Sequence, residues 1–351
     1  MNRRTFVSGA SAAAIAGRSG AARAQAAVPI ADMHFHSFFG AAGHRSRYDS
    51  RPLGPFLAAG GATLVAWAAV GDLLWVDWKA YKQNKPIGAG EALAWLERET
   101  RQIRAHCREQ GLRLALTAGD VDKAAAGEPH IVLALEGATF VETDAALVRR
   151  AFELGVRHLQ LAHYIRNPLA DIQTEPSEHK GLSALGKEVV AECNRLGILV
   201  DLAHCSAAAV QDALGVSRAP MVWSHGSVVR GQPAAPTAAL WRRRQLPVAA
   251  AEAIAANGGA VGLWALRPDI GATAADYARR MLELAQLLGE DHVAFGSDIN
   301  GLGPNALIGS YAELRQVVEH WRGRIAGSAA HKLAMGNYAR VLKQAMALRR
   351  A

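Results

Sequence analysis

Cysteine is scarce in this chain: three in 351 residues, Cys107, Cys193 and Cys205. The odd number and wide spacing exclude a disulfide framework, and with no Cys-x-x-Cys pair there is no thiolate metal site. All three are expected to be structural. Long apolar runs are missing too. The apolar stretch near the N-terminus is short and Ala-rich, no match for a permanent membrane span, and no other stretch approaches one. No Gly-x-Gly-x-x-Gly follows the first strand-like segment, which counts against a doubly wound dinucleotide-binding sheet. Linkers and low-complexity segments are also lacking, so one catalytic domain is the simplest count.

Charge of one sign is in modest excess, and much of it lies in the first residues. Asn2-Arg3-Arg4-Thr5-Phe6-Val7 reads as a twin-arginine export signal, with small residues at Ala24 and Ala26 suited to a signal peptidase. Residues 1–26 are therefore expected to be a signal peptide, and residues 27–351 the working enzyme, periplasmic or secreted. Removing Arg3, Arg4, Arg18 and Arg23 takes the formal charge from +8 to +4. So small an excess gives no case for nucleic acid as a partner. The cluster Trp241-Arg242-Arg243-Arg244 reads as a mostly solvated face.

What is present is a series of apolar runs of strand length: 28–36, 62–70, 130–137, 156–163, 198–204, 221–225, 260–266 and 292–298. Near-continuous apolar strands belong to a parallel sheet covered on both faces. Helical patterns lie between them. One spans Leu182 to Leu196 and stops at Gly197; Ser206 is a natural N-cap for 207–214; further patterns cover 248–256, 274–288 and 311–322. About eight β-then-α units predict a (β/α)8 barrel of the TIM type, with the doubly wound sheet as the alternative. Residues 71–90, with Trp75, Trp78, Tyr81 and Pro86, read as an inserted loop or lid.

Polar residues recur at the strand ends. Strand one ends in His34 and His36, strand three in Glu136, strand four in His163, strand five in His204, strand six in His225 and strand eight in Asp298. The carboxyl ends of barrel strands form the active-site face, so six strands aim ligand-type residues into one cup. Residues i and i+2 on a strand share a side, so His34 and His36 emerge together. Imidazole and carboxylate donors without cysteine suit catalytic zinc, with manganese or cobalt as alternatives. Four histidines and a glutamate exceed one catalytic ion; they suit two, bridged by Glu136. Asp298 is placed to take a proton from the attacking water or to bind a substrate amine. His44, His106, His130, His158, His179, His292, His320 and His331 lie away from these ends and are expected to pack or to be solvated.

These residues carry a family resemblance. The chain resembles the membrane dipeptidase (renal dipeptidase) family of zinc peptidases from about Asp32 to the C-terminal helices. The matching segments are Leu135-Glu136-Gly137-Ala138, Gly155-Val156-Arg157 through His163 to Asn167-Pro168-Leu169-Ala170-Asp171, Gly181-Leu182-Ser183 with Gly186-Lys187-Glu188, Asn194-Arg195-Leu196-Gly197 through Asp201-Leu202-Ala203-His204-Cys205-Ser206, Ser224-His225-Gly226-Ser227 and Gly296-Ser297-Asp298. The resemblance implies that His34 and the residue at 36 hold one zinc, that Glu136 bridges, and that His204 and His225 hold the second zinc. It implies that His163 contacts substrate and stabilises the tetrahedral intermediate, and that Asp298 lies beside the metals. It implies that Arg244, in Arg244-Gln245-Leu246-Pro247, clamps the substrate carboxylate, with Arg230, Arg242 and Arg243 close by in sequence. A homodimer and tolerance of a D-residue at the substrate's C-terminal end are further implications.

The chain departs from the family in two places. The family has aspartate where this chain has His36, and Asp-x-Asp-Gly where it has Asp298-Ile299-Asn300-Gly301. Histidine at 36 removes a negative charge, so the first ion is expected to be held less tightly. The expected function is a two-zinc dipeptidase acting on short peptides. The alternatives are an amidohydrolase of another small carboxylate-bearing amide, ester or lactone, and a non-catalytic metal or peptide binder on the same fold.

Overall fold

The structure is a computed structural model, and it describes residues 28–37, 52–231, 235 and 237–349. The expected signal segment 1–26 and His44 lie outside the described residues.

Eight parallel strands follow one another around a barrel. They are β1 (Ile30–Phe35), β2 (Ala62–Val70), β3 (His130–Glu136), β4 (Val156–Gln160), β5 (Leu199–Asp201), β6 (Val222–Trp223), β7 (Ala260–Leu263) and β8 (Val293–Phe295), each paired with the next. A short strand, Arg113–Leu114, adds to the start of β3. The barrel nearly closes. Beyond β8, Asp298 N–H donates to the His34 carbonyl at 3.0 Å and His36 N–H donates to the Ile299 carbonyl at 3.0 Å. This seam joins the first strand to the last.

Each predicted run supplies a strand; Ala62–Val70 matches its run residue for residue, and the other strands are shorter than theirs. β4 stops at Gln160, β5 at Asp201 and β6 at Trp223. The ligand-type residues sit just past these ends, where the backbone turns out of the sheet. His204, Asp298 and Asn300 do so with φ of +70°, +54° and +71°, a left-handed conformation that non-glycine residues adopt at a cost and that clusters at functional sites.

Alternation within the strands sets the two sides of the sheet. On β2, Val65 and Trp67 face the helices, while Leu64, Ala66 and Ala68 face the barrel interior. On β3, Val132 and Ala134 face inward, and Glu136 continues that row into the cup. The small inward residues leave room for a plug. The C-terminal helix, Asn337–Ala347, packs Tyr338, Val341 and Leu342 beneath the barrel against Ala31, Ala134, Ala260 and Ala294.

The helices obey their local signals. Ala184–Leu196 begins at Ser183, whose hydroxyl accepts from Gly186 N–H, and ends at left-handed Gly197. Ala207–Val216 starts at Ser206, two residues longer than predicted at its far end. Val248–Ala256 and Ala274–Leu288 match the predicted bounds, the latter with a Thr273–Asp276 capping box. Tyr311–Glu319 ends three residues early. The 71–90 insertion carries a small hairpin, Val76–Asp77 against Lys82–Gln83. Among the described residues no helix is long and apolar enough to cross a membrane.

Candidate active site

Every residue singled out from the sequence as a ligand meets at the carboxyl end of the barrel. His34, His36 and Glu136 form one cluster and Glu136, His204 and His225 another, all buried, with Glu136 common to both. The Nε2 atoms of His34 and His36 lie 3.0 Å apart, and those of His204 and His225 lie 3.1 Å apart. Glu136 Oε1 is 3.5 Å from His34 Nε2, 3.2 Å from His204 Nε2 and 3.5 Å from His225 Nε2; its Oε2 is 3.5 Å from His36 Nε2.

Imidazole nitrogens turned toward one another around a carboxylate are what a metal site needs. Burial, reinforced by the Arg244 guanidinium and neighbouring histidines, holds His204 and His225 well below the usual imidazole range, in the neutral form that binds a cation. Burial by itself would raise the Glu136 carboxyl; the charges of His163 and His34, with hydrogen bonds from His204 and His34, outweigh it and hold Glu136 well below its usual range. His36 Nδ1 lies 2.9 Å from the Ala68 carbonyl, which fixes its tautomer and leaves Nε2 for the cup. The three cysteines are free and buried, and burial pushes the Cys205 thiol up, so no thiolate joins the set. The donors fit metal.

His163 and Asp298 flank the clusters. His163 Nε2 is 3.5 Å from Glu136 Oε1, and Asp298 Oδ1 is 3.3 Å from His36 Nε2. Arg244 is nearly inaccessible, at 2% exposure, yet lines the cleft. Its Nε donates to Gln173 Oε1 at 3.2 Å, its Nη1 lies 3.4 Å from the Tyr164 hydroxyl and its Nη2 lies 3.3 Å from His225 Nε2. Among the described residues no carboxylate pairs with it. Its sequence neighbours are placed otherwise. Arg242 is exposed, Arg243 donates to the Thr174 carbonyl, and Arg230 donates to the Asp269 carbonyl. The cleft above the clusters encloses about 550 Å³ and is walled by Trp78, Tyr81, Tyr164, Trp241, Trp264 and Leu302, among others.

Two residues here escaped the sequence reading. Asp72, fully buried just past β2, has Oδ1 2.6 Å from His163 Nδ1, and its Oδ2 accepts from the backbone N–H groups of Tyr164 and Ile165. The signal was available: Gly71-Asp72 stands at the end of a strand to which no polar residue had been assigned. Tyr164 meets His204 edge to face and lies beside Tyr81, between the hairpin and Arg244. Nothing in the sequence distinguished it from a packing residue.

Comparison with known proteins gives a consistent result. The family model described as Membrane dipeptidase (Peptidase family M19) matches residues 68–351. That span covers Glu136, His163, His204, His225, Arg244 and Asp298 and leaves out His34 and His36. Dipeptidase aclJ of Aspergillus oryzae is 34% identical over 202 residues, 54% of this chain and 46% of that protein. An uncharacterized dipeptidase of Schizosaccharomyces pombe is 33% identical over 201 residues, with the same shares. The match thus spans about half the length of these curated relatives. Among solved structures, the probable dipeptidase PvdM from Pseudomonas aeruginosa superposes with a TM-score of 0.75 at 19% identity, covering 92% of this chain and 96% of the other. A metallo peptidase from Rhodobacter sphaeroides, liganded with a phosphinate mimic of the dipeptide L-Ala-D-Ala, superposes with a TM-score of 0.73 at 21% identity, covering 91% and 99%. At these identities the structural likeness speaks for the fold.

Proposed function

This chain belongs to the membrane dipeptidase family, and from that premise we propose that it hydrolyses the peptide bond of dipeptides with a free C-terminal carboxylate. The observation that carries the reading is the pair of buried ligand triads sharing Glu136. His34, His36 and Glu136 would hold one zinc ion; Glu136, His204 and His225 would hold the other. Zinc bound there supplies Lewis acidity for the scissile carbonyl and a water of lowered pKa as nucleophile.

The remaining roles fall to the chain's own side chains. Asp298 sits at the seam with its carboxylate in the cup, placed to accept the proton of the attacking water and return it to the leaving amine. His163 faces the same space and is steadied from behind by Asp72; it donates to the oxyanion that develops on the carbonyl. Arg244 offers a planar guanidinium, buried and without a carboxylate partner among the described residues, to the substrate's terminal carboxylate. The aromatic walls of the cleft exclude water from the substrate's side chains. A D-residue at the C-terminal end falls within this reading, supported by the family resemblance and by the ligand named for the Rhodobacter sphaeroides structure.

The same reading treats residues 27–351 as one catalytic unit, exported by the twin-arginine route and working as a homodimer. The first residues of the sequence and the resemblance support these points.

The test is hydrolysis of paired L,L- and L,D-dipeptides by zinc-loaded protein, beside a chelated control. Cleavage that depends on metal is expected, and the preferred pair defines the substrate. Two bound ions with no dipeptide cleavage would move the activity to another carboxylate-bearing amide, ester or lactone. No cleavage of any of these would leave a binding role.

A further inference from the structure

Ser224 lies between the end of β6 and the ligand His225, and its side chain is fully buried. Its Oγ is 3.2 Å from Nδ1 of His34 and 3.0 Å from Nδ1 of His225. These histidines belong to different triads. In both, Nε2 is the nitrogen turned to Glu136, so Nδ1 is the one left to carry a proton. A hydroxyl has two lone pairs and one proton. Two Nδ1–H donors fill the lone pairs. The hydroxyl proton is then left to turn toward Asp201, whose carboxylate lies beside Ser224 and accepts its backbone N–H at 2.9 Å.

Asp201 is itself fixed. Its Oδ1 accepts from the N–H groups of Ala203 and Ser224, both at 2.9 Å, and its Oδ2 is 3.3 Å from His158 Nε2. His158 Nδ1 is in turn 3.0 Å from the Tyr338 hydroxyl on the C-terminal helix. A buried polar column therefore runs up the barrel interior from the plug to both triads. The backbone of Ser224 is held just as closely. A methyl group on Gly262 or Gly296 would fall 1.9 Å or 1.7 Å from the Ser224 carbonyl oxygen, so β7 and the end of β8 press against it with no clearance.

We propose that Ser224 is a positioning residue shared by the two ligand triads, fixing the tautomer and ring orientation of one histidine in each. Partners of this kind orient ligands and raise their basicity, and their removal typically costs about 10–100-fold in metal affinity. Ordinarily each ligand has its own partner; here one hydroxyl serves both sides of the bridge. Loss of Ser224 should therefore weaken both ions together. The proposal rests on the two-zinc reading.

The experiment is a zinc titration of the metal-free full chain, by equilibrium dialysis with elemental analysis. Wild type should take up two ions; fewer than two refutes the two-zinc reading, and the shared role with it. Given two ions in wild type, Ser224→Ala should weaken both binding steps by about 10–100-fold, and Ser224→Thr should recover most of that loss. Recovery by threonine separates positioning from packing, because threonine restores the hydroxyl while adding volume where alanine removes it. Weakening of one step only, or of neither, overturns the proposal and leaves the two-zinc reading standing. Asp201→Asn keeps the serine but removes the charge that holds its backbone N–H and orients it, and it decides the matter should Ser224→Ala not fold. Both constants should weaken in that variant, and wild-type constants would overturn the proposal.

Discussion

Removing the Arg244 guanidinium should separate substrates by the charge at their C-terminus. The side chain is buried, and its contacts are the neutral groups Gln173, Tyr164 and His225. A guanidinium so placed awaits an anion. Breaking a buried, hydrogen-bonded charge pair by deleting one partner costs about 3–5 kcal/mol, and about 1.4 kcal/mol is a factor of ten. Arg244→Ala should therefore lower kcat/KM for a dipeptide by about 10² to several 10³-fold, chiefly through KM. The C-terminal amide of the same dipeptide has no charge to lose, and its kcat/KM should change by less than about threefold. Arg244→Lys, which keeps charge but loses the fork, should fall between. Metal loss would not explain the result. The Arg244 charge lowers the proton affinity of both His204 and His225, so its removal makes these ligands more basic rather than less. The assay is paired steady-state kinetics on acid and amide, with zinc content measured on the same samples. Equal losses on both substrates, with zinc retained, would refute the clamp.

Three further outcomes are expected. Glu136→Gln keeps the shape but removes the charge shared by the triads, so bound zinc should fall below two per chain and turnover should be lost; elemental analysis beside the dipeptide assay checks this, and full turnover with two ions retained would rule out a bridge. Asp72→Asn takes the anion from behind His163 and should lower kcat by about 10²-fold with KM and zinc content little changed; a change confined to KM would place His163 in ground-state binding. Glu99, on the helix Glu91–Glu109, has its carboxyl pushed up to about 7 by burial. Below its ordinary value of 4.5 it is protonated in folded and unfolded chains alike; between there and about 7 the unfolded chain ionises first, so stability falls as pH rises. Glu99→Gln should remove a penalty of at most about 3 kcal/mol at pH 8 and change little near pH 4.5, as read by urea unfolding at both pH values. A gain equal at both would mean that the charge is not the cause.

The barrel was legible because a strand covered on both faces must be apolar along its length, and six of the eight runs closed on a polar residue with no reason to be there unless it faced the cup. Only the run lengths misled. The last residues of several runs are apolar because they stay in the core, as Leu161, Ala162, Leu202 and Ala203 do, although the sheet has already ended. Asp72 was harder. Its meaning lies in His163, 91 residues away, and a lone carboxylate after a glycine does not announce its partner. Ser224 was visible within a motif, but its contact with His34, 190 residues away, exists only once β6 faces β1 across the barrel. The arginines raised a question of phase. Successive residues on a helical path point about 100° apart, so of Arg242, Arg243 and Arg244 one can face the cleft; which one depends on how the turn Leu240–Arg243 docks, and that is a tertiary matter.

The seam between β1 and the residues after β8 bears on timing during synthesis. The Asn300 amide donates to the His36 carbonyl across 264 residues of chain, and Ser297 reaches Asp32 across 265. At about 5–20 residues per second, His34 and His36 emerge from the ribosome on the order of tens of seconds before their seam partners exist. Glu136, His204 and His225 need no such wait, since β3 through β6 are contiguous in both sequence and sheet. A nascent chain halted before β8 thus carries a set of donors ready to scavenge a cation while the other half of the cup hangs open. Completion of the N-terminal half of the site is an event of the C-terminal end of translation.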